Sequence, residues 1–226
     1  MKVACIIPAR GGSKGIPKKN IIDFNGNPLI YYSIKQALGS KYMKETDVYV
    51  TSDSEEILKI SESFGATPIL RPDDISTDTD SSESALIHAI NQISNEYDFI
   101  VFLQATSPIR TSQDIDGCIE KLIEHKLDSI FSAVELEDFL IWEKDDSGEL
   151  NSLNYDYKNR KRRQDCKPQY VENGSIYVFN KTKFLFEKNR LFGKKDLYLM
   201  DSWKSFEIDN IEGLELCEII YKNKIK

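Results

Sequence analysis

A chain of 226 residues with 40 % hydrophobic content is long enough to bury one sizeable core and has the make-up of a globular domain. Its formal net charge of −7 argues against broad binding to nucleic acid or acidic membranes, so any anion site must be local. Cys5, Cys118, Cys166 and Cys217 are widely spaced, with no CxxC pair, which predicts reduced thiols in a cytoplasmic protein.

The chain starts with "MKVACII", an apolar run too short for a signal segment and closed at once by "PARGG". No stretch is apolar enough to span a bilayer. "VACII" (3–7) has the continuous apolar pattern of a buried strand. Asn27 and Pro28 offer an N-cap and a first turn to a helix over "PLIYYSIKQAL", which Gly39 can close. "DVYVTS" (47–52) predicts a second strand, and "DSEEILKISESF" an amphipathic helix stopped at Gly65, with Ser52-Asp53 as its cap. "TPIL" (67–70) is a short strand followed by the polar loop "RPDDISTDTD". Ala85, Leu86, Ala89, Ile90 and Ile93 recur at helical spacing, and "DFIVFL" (98–103) is a buried strand running into "QATSPIRTSQD". A helix near 113–126 and a strand "SIFSAV" (129–134) follow.

The rhythm breaks at about 136–170, where "DDSGE" signals a hairpin turn in a stretch of little periodicity. Regular structure resumes with "GSIYVF" (174–179), "LYLM" (197–200), "SFEID" (205–209) and a helix near 211–222. This βαβα alternation predicts an α/β fold: a three-layer αβα sandwich around a mostly parallel sheet, forming one domain over 1–226 with an appendage at about 136–170.

In such sheets ligands lie outside the carboxyl ends of the strands, so the loops after 3–7, 67–70 and 98–103 should share one crevice. The first, "PARGGSKGIPKKN", offers Arg10, Lys14, Lys18 and Lys19, with Gly11, Gly12 and Gly15 to bring backbone N–H groups close. Charge with close backbone suits a polyphosphate, whereas basic residues alone would read as a solvated turn. The loop fits neither GxxxxGK[ST] nor GxGxxG. Alternation along "SFEID" would set Glu207 and Asp209 on one side and Phe206 and Ile208 on the other. That pair is either a Mg²⁺ site completed by phosphate oxygens or a solvated acidic face. His88 and His125 read as structural, and no triad for covalent catalysis is evident. The basic run "KNRKRRQDCK" (158–167) is a solvated loop, a nucleic-acid patch disfavoured by the overall charge, or a source of arginines for an acidic substrate.

Together "ARGGSKGIPKKN", "LRPDDISTDTDSS", "LQATSPIR", "RRQD…YVENGSIYVF" and "FEIDN" resemble, in order and over nearly the whole chain, the blocks of the acylneuraminate cytidylyltransferases, the CMP-sialic acid synthetases. The resemblance implies a nucleotide-diphospho-sugar transferase-like fold whose arm, at 136–170, builds a homodimer. It implies transfer of CMP from CTP to a nine-carbon 2-keto acid sugar, of sialic or legionaminic type, with release of pyrophosphate. Carried over by residue, Arg10, Gly12, Ser13, Lys19 and Asn20 would hold nucleotide, with Arg10 and Lys19 catalytic, and Arg71 and Ser82 would read the cytosine. Gln104, Tyr177, Phe192 and the partner subunit's Arg163 would line the sugar site, and Asp209 and Glu207 would hold Mg²⁺. Two departures stand out: Glu207 where the family commonly has Asp in "DID", and Ala105 where Pro is usual. The alternatives are a cytidylyltransferase for pseudaminic or 3-deoxy-octulosonic acid, or a nucleotide-binding homologue impaired in catalysis.

Overall fold

The computed structural model describes residues 1–225 apart from positions 14, 78, 137 and 138, and excludes the side chain of Arg163. The expectation for Lys14 therefore lies outside the described residues. The strands in chain order are β1 (Val3–Pro8), β2 (Asp23–Phe24), β3 (Asn27–Pro28), β4 (Val48–Ser52), β5 (Thr67–Leu70), β6 (Phe99–Leu103), β7 (Ser129–Glu135), β8 (Trp142–Lys144), β9 (Leu150–Ser152), β10 (Tyr170–Asn180) and β11 (Lys195–Leu199). The helices are α1 (Leu29–Leu38), α2 (Glu55–Ser63), α3 (Ser82–Gln92), α4 (Ser112–Glu124), α5 (Lys181–Glu187) and α6 (Ile211–Lys224).

A seven-stranded sheet has the order β11-β7-β10-β6-β1-β4-β5. Its strands run parallel except β10, which lies antiparallel to both β6 and β7. Alternation along β1 divides the core: Val3, Cys5 and Ile7 pack with Ile30 and Ile34 of α1 and Ile115 and Ile119 of α4. Ala4 and Ile6 face the other way, onto Leu86, Ala89 and Ile90 of α3. Both faces are thus covered by helices, which is why the central strands read as unbroken apolar runs. A third cluster, with Phe24, Leu29, Tyr32, Ile208 and Cys217, fastens α6 and the residues before it beside the main layers.

Two local expectations give way. Asn27 does not cap α1: Asn25 and Gly26, both at positive φ, turn a small β2–β3 hairpin, and Asn27 and Pro28 are its second strand. "SFEID" is not a strand either. A 3-10 turn (Ser202–Ser205) takes its first residue, and Ile208 plugs the third cluster while donating its N–H to the Thr106 carbonyl at 2.8 Å. The hairpin expected within 136–170 is present as β8 and β9, whose turn is held by the Asp145 carboxylate accepting the N–H groups of Ser147 and Glu149. Among the described residues no helix is long and apolar enough to cross a membrane.

Candidate active site

The loops following β1, β5 and β6 and the start of α3 enclose a cleft of about 280 Å³. Arg10, Gly12, Ser13, Lys19, Asn20, Arg71, Ser82 and Gln104 all line it, so the nucleotide set drawn from the sequence does converge. The cleft lies at the carboxyl ends of neighbouring parallel strands, where an open α/β sheet places its ligands.

The glycines of the first loop divide their work. A β-carbon on Gly12 would meet nothing within 4 Å, so this position leaves open space at the cleft. A β-carbon on Gly15 would lie 2.2 Å from the Asp209 carbonyl oxygen, and one on Gly11 would lie 3.0 Å from Ser54 Cβ. Gly11 and Gly15 therefore serve close chain-to-chain approach, a role the sequence had assigned to phosphate alone. Asn20 is buried and donates Nδ2–H to the Arg10 carbonyl at 2.9 Å, fixing the loop from within. Arg10 itself donates to the Thr77 carbonyl at 3.2 Å.

Lys19 reaches across to the acidic segment, its Nζ 2.9 Å from Asp209 Oδ1. Glu207 and Asp209 lie near enough for the charge of one to act on the other, although no strand pairing aligns them. Burial, and next the negative charge of Asp209, hold the Glu207 carboxyl above the ordinary glutamate range, while Lys19 opposes them. Among the described residues no cluster of three or more His, Cys, Asp or Glu could hold a metal. Two adjacent carboxylates under mutual repulsion nevertheless fit Mg²⁺, which commonly takes one or two protein carboxylates and completes its shell with phosphate and water.

Arg71, expected on the base side, is buried at 5 % exposure, and its Nε donates to Ser76 Oγ at 2.9 Å. Burial lowers its pKa and the Asp53 carboxylate pushes it back up. Asp53 is not the cap of α2, as the sequence suggested: Ser54 is, accepting from the Ile57 N–H. Ser82 opens α3, whose cap is Ser81.

The sugar-side candidates are only partly brought together. Gln104 lines the cleft and its Oε1 lies 2.6 Å from where a β-carbon on Gly174 would stand; Glu207 Oε2 is 3.5 Å from the same point. Tyr177 is buried, stacked on Phe102 at 5.3 Å, and donates its hydroxyl to Glu172. Phe102 lines the cleft, so Tyr177 stands one ring behind it. Phe192 packs in the core cluster that holds Phe102 and Tyr177 and is not among the residues lining the cleft. Arg163 begins a 3-10 turn (Arg163–Asp165) on the appendage, and its side chain lies outside the described residues.

Sequence reasoning missed three residues around this site. Arg110 is 1 % exposed and donates to the carbonyls of Gln104 (2.9 Å) and Ser107 (2.7 Å), pinning the loop after β6. Arg190 forks onto Glu83 at 2.7 and 2.9 Å and lies 4.9 Å over both the Phe102 and Tyr177 rings. The third is Asp53. "SPIR" and "NRLF" carried no local signal for these roles: Arg110 is also held by Ser33 and Ser175, and Arg190 by Glu83, all more than sixty positions away.

A glycine-containing loop after the first strand, arginine and lysine at its rim and an acidic pair opposite suit a polyphosphate, and similarity to known proteins makes the class a nucleotidyltransferase. The family model for cytidylyltransferases matches residues 4–225, and the chain belongs to that family. It is 37 % identical to the pseudaminic acid cytidylyltransferase of Campylobacter jejuni, over 98 % of this chain and 97 % of that protein. It is 36 % identical to the N-acylneuraminate cytidylyltransferase of Escherichia coli, over 99 % of this chain but 53 % of that longer protein. The solved CMP:2-keto-3-deoxy-manno-octonic acid synthetase complexed with CTP matches over the full length of both chains, with a TM-score of 0.73 at 17 % identity, and so shares the fold.

Proposed function

We propose that this enzyme transfers CMP from CTP to an acidic nine-carbon 2-keto sugar, releasing pyrophosphate. The observation that carries the reading is the convergence of Arg10, Ser13, Lys19, Arg71 and Ser82 on one cleft, beside the Glu207–Asp209 pair. The sugar's anomeric hydroxyl attacks the α-phosphorus and pyrophosphate leaves, without a covalent enzyme intermediate. Arg10 and Lys19 neutralise charge on the triphosphate, each charge-assisted hydrogen bond contributing about 1.5–3 kcal/mol. Arg71 and Ser82 orient the base. Asp209 and Glu207 would hold Mg²⁺, which supplies Lewis-acid stabilisation of phosphate oxygens.

Within the acidic sugars we place pseudaminic acid first, because the C. jejuni relatives named for it match this chain end to end. Sialic and legionaminic acids are the second reading, carried by the "RRQD…YVENGSIYVF" block and the E. coli relative. We also propose a homodimer built by the appendage. Phe139, Trp142, Leu150 and Leu153 are exposed there beside the basic run, which would bring Arg163 to the neighbouring site for the substrate carboxylate.

Pyrophosphate release from CTP and Mg²⁺, measured across pseudaminic, sialic, legionaminic and 3-deoxy-octulosonic acids with Lys19→Ala as control, tests the reading. Release with one sugar, lost in the control, supports it. No release with any of the four, despite CTP binding, overturns it.

A further inference from the structure

We propose that Asp53 is a positioning residue that locks the phosphate-side loop and the base-side arginine together, so that triphosphate and base are recognised as one unit. The inference rests on the nucleotide reading above.

The sheet order supplies the geometry. β4 lies between β1 and β5, all three parallel, so the residue leaving β4 has the phosphate loop on one side and the base loop on the other. Backbone bonds already stitch both loops to this strand end: the Ala9 N–H donates to Thr51 O at 2.9 Å and the Arg71 N–H to Ser52 O at 2.8 Å. Asp53 continues that stitching with its side chain. Oδ1 accepts the Gly11 N–H at 2.8 Å and stands 3.8 Å from Arg71 Nη2.

Further features narrow the roles open to this carboxylate. Ser54 caps α2, so Asp53 is not needed there. Gly11 lies so close to Ser54 Cβ that a side chain at position 11 would press on the turn that carries Asp53. Arg71 is buried, and a buried guanidinium is costly without a counter-charge. Arg10 works against it from the same side, its charge disfavouring that of Arg71. Asp53 is not among the residues lining the cleft, so it acts through Gly11 and Arg71.

The test compares Asp53→Ala, which loses both contacts, with the near-isosteric Asp53→Asn, which keeps an acceptor for the Gly11 N–H but removes the counter-charge. CTP and UTP affinities are measured by calorimetry without sugar, and steady-state constants with it. Asp53→Ala should raise the CTP Kd and KM about tenfold or more, the loss expected of one charge-assisted hydrogen bond, and should narrow the CTP-to-UTP preference. The sugar KM should stay unchanged. Asp53→Asn should lose base preference while retaining most affinity for inorganic triphosphate. If Asp53→Asn, folded by its melting temperature, keeps wild-type CTP affinity and base preference, the proposal is overturned and the nucleotide reading stands. Failure of the wild-type enzyme to bind CTP in preference to UTP would overturn both.

Discussion

Lys19 Nζ donates to Asp209 Oδ1 at 2.9 Å, closing the phosphate loop onto a segment 190 positions later in the chain. Gly15 lies against the carbonyl of the same aspartate, so backbone and side chain both hold the contact. Lys19 is thus the cation paired with the Asp209 carboxylate. Lys19→Ala should lower kcat about 10²–10³-fold, the scale of losing one preorganised charge at a reacting centre. The same substitution should tighten binding of Mn²⁺, as a Mg²⁺ probe, to the nucleotide-free protein, because Asp209 then has no competing ammonium. Paramagnetic titration reads this directly, and unchanged Mn²⁺ affinity would sink the counter-ion role.

Glu207 carries a pH signature with a defined sign. Its carboxyl is held above the ordinary glutamate range by burial and by Asp209, so protons compete with a divalent cation at higher pH than at a solvated glutamate. Apparent Mn²⁺ affinity should fall as pH drops through that raised pKa, and Glu207→Gln should flatten the dependence. For folding, a raised carboxyl pKa means the native state binds the extra proton, so stability falls as pH rises from the unfolded value through the folded one. Glu207→Gln should therefore melt at or above the wild-type temperature at neutral pH, and the difference should vanish in acid.

The layered sheet could be read from the chain because its cause is local: unbroken apolar strands, helical spacing in α3 and α4, and turn residues between them. The cleft-lining nucleotide residues came from the family-like blocks, which fall at strand ends where the topology gathers them. What the sequence hid depends on contacts between distant segments. "SFEID" has a strand's alternation, but Ile208 is claimed by the α6 cluster and by Thr106, so no neighbouring strand pairs with it. Asp53 looked like a cap because it precedes a helix; only the placement of β4 between β1 and β5 gives it Gly11 and Arg71 as partners. Gly15 looked like a phosphate glycine, and its Asp209 neighbour has no sequence signature.

Gly174 sits at φ +66° where the pairing of β10 with β7 shifts register, a conformation that L side chains rarely adopt. Its α-carbon hydrogen faces the Gln104 amide oxygen at a distance that leaves no room for a methyl group. Gly174→Ala should displace Gln104, raising the KM for the sugar several-fold while leaving CTP binding within a factor of two, as expected for a shift confined to one side of the cleft. Parallel titrations of the two substrates check this; an equal loss for both would assign Gly174 to the fold instead.

Arg190 holds Glu83 with a two-pronged ion pair and covers the Phe102 and Tyr177 rings, so planarity and charge are both in use. Glu83 stays below the ordinary glutamate range because Arg190 outweighs the cost of its burial. Arg190→Lys keeps the charge but loses the fork and the stacking. It should raise the sugar KM and leave the CTP KM nearly unaltered, with Glu83→Gln giving a similar, smaller change. A matching rise in both constants would show that the pair supports α3 and Ser82 more than the ring stack.

Lys204 and Asp114 form a buried pair, with Nζ 2.8 Å from both carboxylate oxygens and the two side chains 9 % and 8 % exposed. Asp114 also accepts from the Thr111 N–H and hydroxyl at the start of α4, and the Lys204 carbonyl accepts from Asn173 Nδ2. The pair thus ties α4 and β10 to the turn that leads into Glu207. Removing one partner of such a pair costs about 3–5 kcal/mol, because the other charge stays buried and unpaired, whereas replacing both by apolar groups of similar size is often close to neutral. Lys204→Met should accordingly lower the urea midpoint strongly, and Lys204→Met with Asp114→Leu should recover part of the loss, limited by the broken α4 cap. The recovered double variant should still bind the divalent cation less tightly, since the turn before Glu207 has lost its anchor. Recovery of stability with wild-type Mn²⁺ affinity would confine the pair to a folding role.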